Sequence, residues 1–122
     1  MSTPRAGRCH CGAVTVTVPA EAAGVIACHC EDCQRLHGNF FAFVAAPSTA
    51  VTWGGEEHVC WYESSPKARR AFCARCGSRL AKEAYGSGRT LVSMGLFGPE
   101  TGLHLQRHLY ADSHPDWYPA PS

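Results

Sequence analysis

The chain has 122 residues, 45% of them hydrophobic, and a formal net charge of +1. That length fits one domain, spanning residues 1–122, with a modest core, and the near-neutral charge excludes the basic footprint of a nucleic-acid-binding surface. No apolar run reaches the ~20 residues of a membrane-spanning helix, and Met1 to Arg8 lack the apolar stretch of a secretory signal. The expected compartment is the cytoplasm, where thiols stay reduced, so the eight cysteines read as metal ligands rather than disulfides.

In chain order, Gly7 to Gly12 hold a first cysteine pair, Cys9 and Cys11, in a glycine-bounded turn. Ala13 to Val18 alternate with period two and predict a half-buried strand, stopped by Pro19. Val25-Ile26-Ala27 predicts a short strand running directly into Cys28. Glu31 to His37 predict one or two helical turns, ended by Gly38. Asn39 to Ala45 predict an aromatic-rich strand, broken at Pro47-Ser48. Short strands are expected at Val51–Trp53 and His58–Tyr62, with a turn at Ser64–Lys67. Ala68 to Phe72 lead into the third cysteine pair, Cys73 and Cys76. Arg79–Lys82 and Thr90–Met94 predict strands on either side of the turn Tyr85-Gly86-Ser87-Gly88. Leu103–Leu105 and His108–Tyr110 read as the last extended pieces, and the tail with Pro115, Pro119 and Pro121 as irregular. No segment sustains helical periodicity, so the fold class expected is mainly β.

The thiols divide by spacing. Cys73-x-x-Cys76-Gly77 is a zinc knuckle: the turn brings both sulfurs to one side, backbone N–H groups face them, and the glycine accepts a positive φ. Cys9-x-Cys11-Gly12 is a tighter version of the same device. Two such halves make one closed four-sulfur site when the strands behind them pair. A structural zinc of this kind contributes roughly 10–16 kcal/mol of folding free energy.

Cys28, Cys30, Cys33 and Cys60 remain. The first three fall within six residues and reach one ion. A closed structural site needs a fourth protein ligand, whereas a catalytic site keeps a position open for water or substrate. Cys60, in the strand-like His58–Tyr62, reads as a buried apolar residue outside the site. His29 and His37 are rival fourth ligands, and His29, held between two ligands, is expected to point away. A zinc ion on three thiolates carries one net negative charge, which makes it a poor activator of water. A thiol is a better partner, because zinc favours the soft thiolate and deprotonates it on binding. Two Zn²⁺ on seven thiolates would also turn the formal charge mildly negative.

Gly7-x-Cys9-x-Cys11-Gly12-x-Val14, Cys28-His29-Cys30-x-x-Cys33 and Phe72-Cys73-x-x-Cys76-Gly77-Ser78-x-Leu80 together resemble the glutathione-dependent formaldehyde-activating enzyme family, also called the centromere protein V/GFA domain. His108-Leu109-Tyr110 and Pro115-x-Trp117 resemble its closing segment. The resemblance covers nearly the whole chain. It implies an Mss4-like fold of short antiparallel strands stapled by zinc, with two zinc ions per chain. Cys9, Cys11, Cys73 and Cys76 would hold a structural zinc, and Cys28, Cys30 and Cys33 a catalytic one. The implied activity is that of a carbon–sulfur lyase run in the synthetic direction, joining glutathione and formaldehyde into S-hydroxymethylglutathione.

Among the cations, Arg70 and Arg35 are the candidates to clamp the carboxylates of a glutathione-like ligand; Lys67 and Arg69 stand beside Arg70. His108 reads as hydrogen-bonded structure, and Glu31 and Asp32 as solvated acids at a helix start. The competing functions are a non-catalytic zinc-stabilised binding module and a redox or metal-handling protein.

Overall fold

The computed structural model describes residues 3–119. Among the described residues there are ten strands and one α-helix. The strands are β1 (Arg5–Arg8), β2 (Thr15–Val18), β3 (Val25–Cys28), β4 (Phe41–Pro47), β5 (Thr52–Gly54), β6 (Val59–Ser65), β7 (Ala68–Cys73), β8 (Arg79–Ala84), β9 (Arg89–Ser93) and β10 (Leu105–Leu109). The helix, α1 (Glu31–His37), lies between β3 and β4.

The strands form two sheets. One has the order β1-β2-β5; the other runs β10-β3-β4-β9-β8-β7-β6. The mainly β expectation therefore holds, with short strands paired antiparallel. One pair departs from it: β10 lies parallel to β3, with His108 opposite Ala27 and Leu109 opposite Cys28. The chain leaves β9 in the middle of the sheet and crosses past β4 and β3 to close the edge, and a crossover of this kind is what a parallel partner needs.

Local chemistry explains where the elements lie. β2 alternates as its sequence does, with Val16 and Val18 buried and Thr15 exposed. In α1, the Cys30 sulfur accepts the Cys33 N–H at 3.4 Å and so caps the first turn. Glu31 and Asp32 stand at the positive end of the helix and Arg35 and His37 at the negative end. Gly38, at φ 87°, ends it in the left-handed conformation.

Three expectations need correction. Gly7 and Arg8 belong not to the first cysteine turn but to the strand Arg5–Arg8, although no apolar alternation marks it; its register against β2 supplies what the side chains do not. Ser64 and Ser65 belong to β6, so the turn is confined to Pro66 and Lys67. The two late extended pieces are one strand, β10. Pro121 lies outside the described residues.

The apolar interior has two parts. The larger joins Val14, just before β2, and Val16 and Val18 of the small sheet to Val44, Leu80 and Val92 of the large one, and Cys9 and Cys73 belong to it. The smaller holds Cys28, Cys33, Phe41 and Phe43, with Ile26, Leu91 and Leu109 packed against it. Each cluster of thiols thus has its own apolar bed. Truncating a buried ring such as Phe41 to alanine costs about 3–5 kcal/mol and would empty the floor under α1.

Candidate metal centres

Seven of the eight cysteines gather into two groups. Cys9, Cys11, Cys73 and Cys76 form one, and Cys28, Cys30 and Cys33 the other; within each, the sulfurs lie within 4.8 Å of one another. Cys60 joins neither. It sits in β6 opposite Phe72, half-buried.

Two turns build the four-sulfur group. Gly12 N–H donates to Cys9 O at 3.1 Å and Gly77 N–H to Cys73 O at 2.7 Å. Both glycines have positive φ, 83° and 80°. The turns are sewn together by His10 N–H donating to Ser78 Oγ at 2.9 Å. Val14 N–H donates to Cys9 Sγ at 3.3 Å. Cys9 and Cys11 sulfurs are 3.6 Å apart, Cys11 and Cys73 sulfurs 3.8 Å. Sulfurs about 2.3 Å from one tetrahedral zinc would lie about 3.8 Å from each other, so the donor set fits that ion. The Ser78 hydroxyl beside Cys76 holds its thiol down to about 5. On Cys11, the Ala13 N–H favours the thiolate but burial and the neighbouring thiols win, pushing it up to about 11.

The three-sulfur group sits where β3 meets α1. Cys28 ends the strand, Cys30 caps the helix, and Cys33 lies in its first turn, fully buried. The strand-to-helix corner is what turns three thiols of a six-residue stretch onto one side. The neighbouring Cys33 thiol lowers that of Cys28, while Cys28 and burial raise that of Cys33. An all-sulfur set of this kind suits a soft ion such as zinc.

Neither rival histidine joins these sulfurs. His29 is 1% exposed and turns to β10, where its Nε2 lies 2.8 Å from His108 Nδ1. Burial first, then His108 and His114, hold it below its ordinary value. His37 stacks on Phe41, with ring centroids 4.5 Å apart. Burial first, then Arg70 and Arg79, lower it to about 4.

The two candidate clamps lie in unlike places. Arg70 is 3% exposed; its Nη2 is 3.7 Å from Cys33 Sγ and its Nη1 3.3 Å from His37 Nε2. Arg35 is exposed on the outer face of α1 and pairs with Glu31 at 2.9 Å. Of their neighbours, Arg69 pairs with Glu83 at 2.7 Å and lies over Trp61. Glu31 and Asp32 are solvated. The sequence reading missed Arg79, which ties α1 to the sheet: its Nε donates to Leu36 O and its Nη1 to Tyr62 Oη. It also missed the His29–His108 pair. Both join residues remote in sequence, and no local pattern marks either.

Comparisons with known proteins agree with this geometry. Residues 4–113 match the family described as glutathione-dependent formaldehyde-activating enzyme. The chain belongs to that family. An uncharacterized lyase of Schizosaccharomyces pombe is 30% identical over 115 residues, which cover 92% of this chain and 82% of that protein. A crystal structure of a Rhodobacter sphaeroides protein shares the fold, with a TM-score of 0.68 at 21% identity, over 84% of this chain and 98% of that one. The residues matched to the formaldehyde-activating family include both groups of sulfurs. No helix among the described residues is long and apolar enough to cross a membrane.

Proposed function

We propose that the chain is a zinc-dependent enzyme of carbon–sulfur bond chemistry, acting on a thiol such as glutathione and an aldehyde such as formaldehyde. One observation carries this reading. The two groups of sulfurs are unequal, four in one and three in the other, and among the described residues no further cysteine or histidine joins the three. A four-sulfur site is closed and structural; a three-ligand site keeps a position for substrate. Family membership and the relative named as a lyase support the reaction class.

Zinc held by Cys28, Cys30 and Cys33 would keep a substrate sulfur as thiolate while leaving it nucleophilic. The chain's own residues supply the setting. The Cys33 N–H on Cys30 Sγ and the Arg70 guanidinium on Cys33 Sγ fix two of the three sulfurs. His29, with its ring turned to His108, packs the site from the β10 side and keeps its nitrogens from the sulfurs. The aldehyde carbon forms a bond to the thiol sulfur, and the thiol proton ends on the carbonyl oxygen. No oxidant or reductant is needed. The four-sulfur site would hold the β1–β2 turn against the β7–β8 turn. Arg35, exposed at a groove of about 270 Å³ shared with Gln34, Trp117 and its own ion-pair partner Glu31, is the proposed partner for a glutathione carboxylate, which would displace Glu31.

The test is to mix glutathione and ¹³C-formaldehyde and follow S-hydroxymethylglutathione by NMR. The zinc-loaded protein should speed approach to equilibrium, and Cys28→Ser should abolish the effect. Equal rates with and without protein, at full zinc loading, would favour a non-catalytic zinc-stabilised binding module.

A further inference from the structure

Arg70 is a buried cation without a carboxylate. It lies at an inward position of β7, 3% exposed, and none of the salt bridges among the described residues includes it. Its Nε is buried with no hydrogen-bond partner. An uncompensated buried charge is strongly destabilising, so a position like this calls for an anion. What the guanidinium does reach is Cys33 Sγ, 3.7 Å from Nη2, and the neutral ring of His37, 3.3 Å from Nη1. The Phe41 ring lies 5.8 Å beneath it and carries His37 on its face. A helix, a strand and a ring thus hold one cation against one sulfur.

We infer that Arg70 is a positioning residue for the three-cysteine centre: it is the counter-ion of the Cys33 thiolate, and its charge allows a second anionic sulfur, that of the substrate, to enter. The inference rests on the reading of Cys28, Cys30 and Cys33 as metal ligands. Three thiolates on a divalent ion carry one net negative charge, and a substrate thiolate makes it two. A dianion in an apolar bed is costly, and a buried guanidinium takes one of those charges away. Hydrogen bonds from a charged donor are also the stronger kind, and the planar guanidinium can hold Cys33 and His37 at once, which an ammonium cannot match in direction. Buried in this way, Arg70 is not free for a substrate carboxylate.

Arg70→Met and Arg70→Lys test the inference in the cobalt-substituted protein. Glutathione is titrated while the sulfur-to-cobalt charge-transfer band is followed. Removing an outer partner of a metal ligand costs about 10- to 100-fold in metal affinity or activity; Arg70→Met should show a loss of that order in glutathione affinity. Its binding midpoint should also move to higher pH, because the bound thiol is then harder to ionise. Arg70→Lys should recover part of both. An Arg70→Met protein that keeps two metals and binds glutathione with unchanged affinity and pH dependence would overturn the inference. A wild type whose band ignores glutathione would instead sink the proposed function. Should Arg70→Met fail to fold, the wild type loaded with ¹¹³Cd decides. The Arg70 N–H protons should exchange slowly and couple to cadmium through Cys33. Free exchange with no coupling would overturn the inference.

Discussion

Cys11 Sγ lies 3.8 Å from Cys73 Sγ, although 62 residues separate them. The first stands in the turn between β1 and β2, the second at the end of β7. Without a shared ion, little but Ser78 joins these turns at their tips. Structural zinc is worth roughly 10–16 kcal/mol, as much as the whole net stability of an ordinary domain, about 5–15 kcal/mol. Cys73→Ser should therefore abolish cooperative unfolding, read by circular dichroism in denaturant. A cooperative transition with an unchanged midpoint would remove the staple from the account.

Cys28→Ser should behave in the opposite way. Its sulfur belongs to the smaller apolar cluster, on the far side of β4 from the four-sulfur group. The protein should keep its fold and bind one zinc fewer, measured by metal content after gel filtration. Cys60→Ser, in β6 and outside both groups, should leave the zinc content as it is.

Gly77 has φ 80° and open space around its missing Cβ. Gly77→Ala therefore meets no clash, only the left-handed backbone, which costs about 1–2 kcal/mol for an L-residue. The denaturation midpoint should fall with no change in slope. Gly77→Asn should lose less, since asparagine tolerates this conformation.

His37 is held neutral in the fold, with its value lowered from 6.5 to about 4. The unfolded chain takes up this proton as pH falls through 6.5, while the folded chain resists until about 4. The contribution is thus fully present above 6.5 and is lost as pH falls through that window. The ring protons of His37 in the NMR spectrum should stay at their neutral positions at pH 5.5. A titration at the ordinary histidine value would contradict its burial between Phe41 and Arg70.

Much of this was legible because the signals are local. The glycine-ended knuckles at Gly12 and Gly77, the helix stop at Gly38 and the alternation of Val14, Val16 and Val18 each depend on neighbours in sequence. The grouping of the sulfurs followed from spacing together with the family resemblance, with Cys60 and the two histidines left as rivals. What escaped depends on partners brought from elsewhere. β1 is a strand because β2 is beside it. Arg70 reads as a clamp for a substrate carboxylate until β7 turns it inward and α1 presents Cys33 and His37 to it. His29 meets His108 only because β10 returns parallel to β3.

The central claim is that the three-cysteine centre keeps a position for a thiol while the four-cysteine centre is closed. Cobalt substitution at both centres, followed by glutathione titration, tests it most directly. One of the two cobalt ions should gain a new sulfur-to-metal charge-transfer band, saturating at one thiol per chain, and Cys28→Ser should abolish that response while the other cobalt spectrum stays the same. Two cobalt spectra that both ignore glutathione at saturating concentration would contradict it.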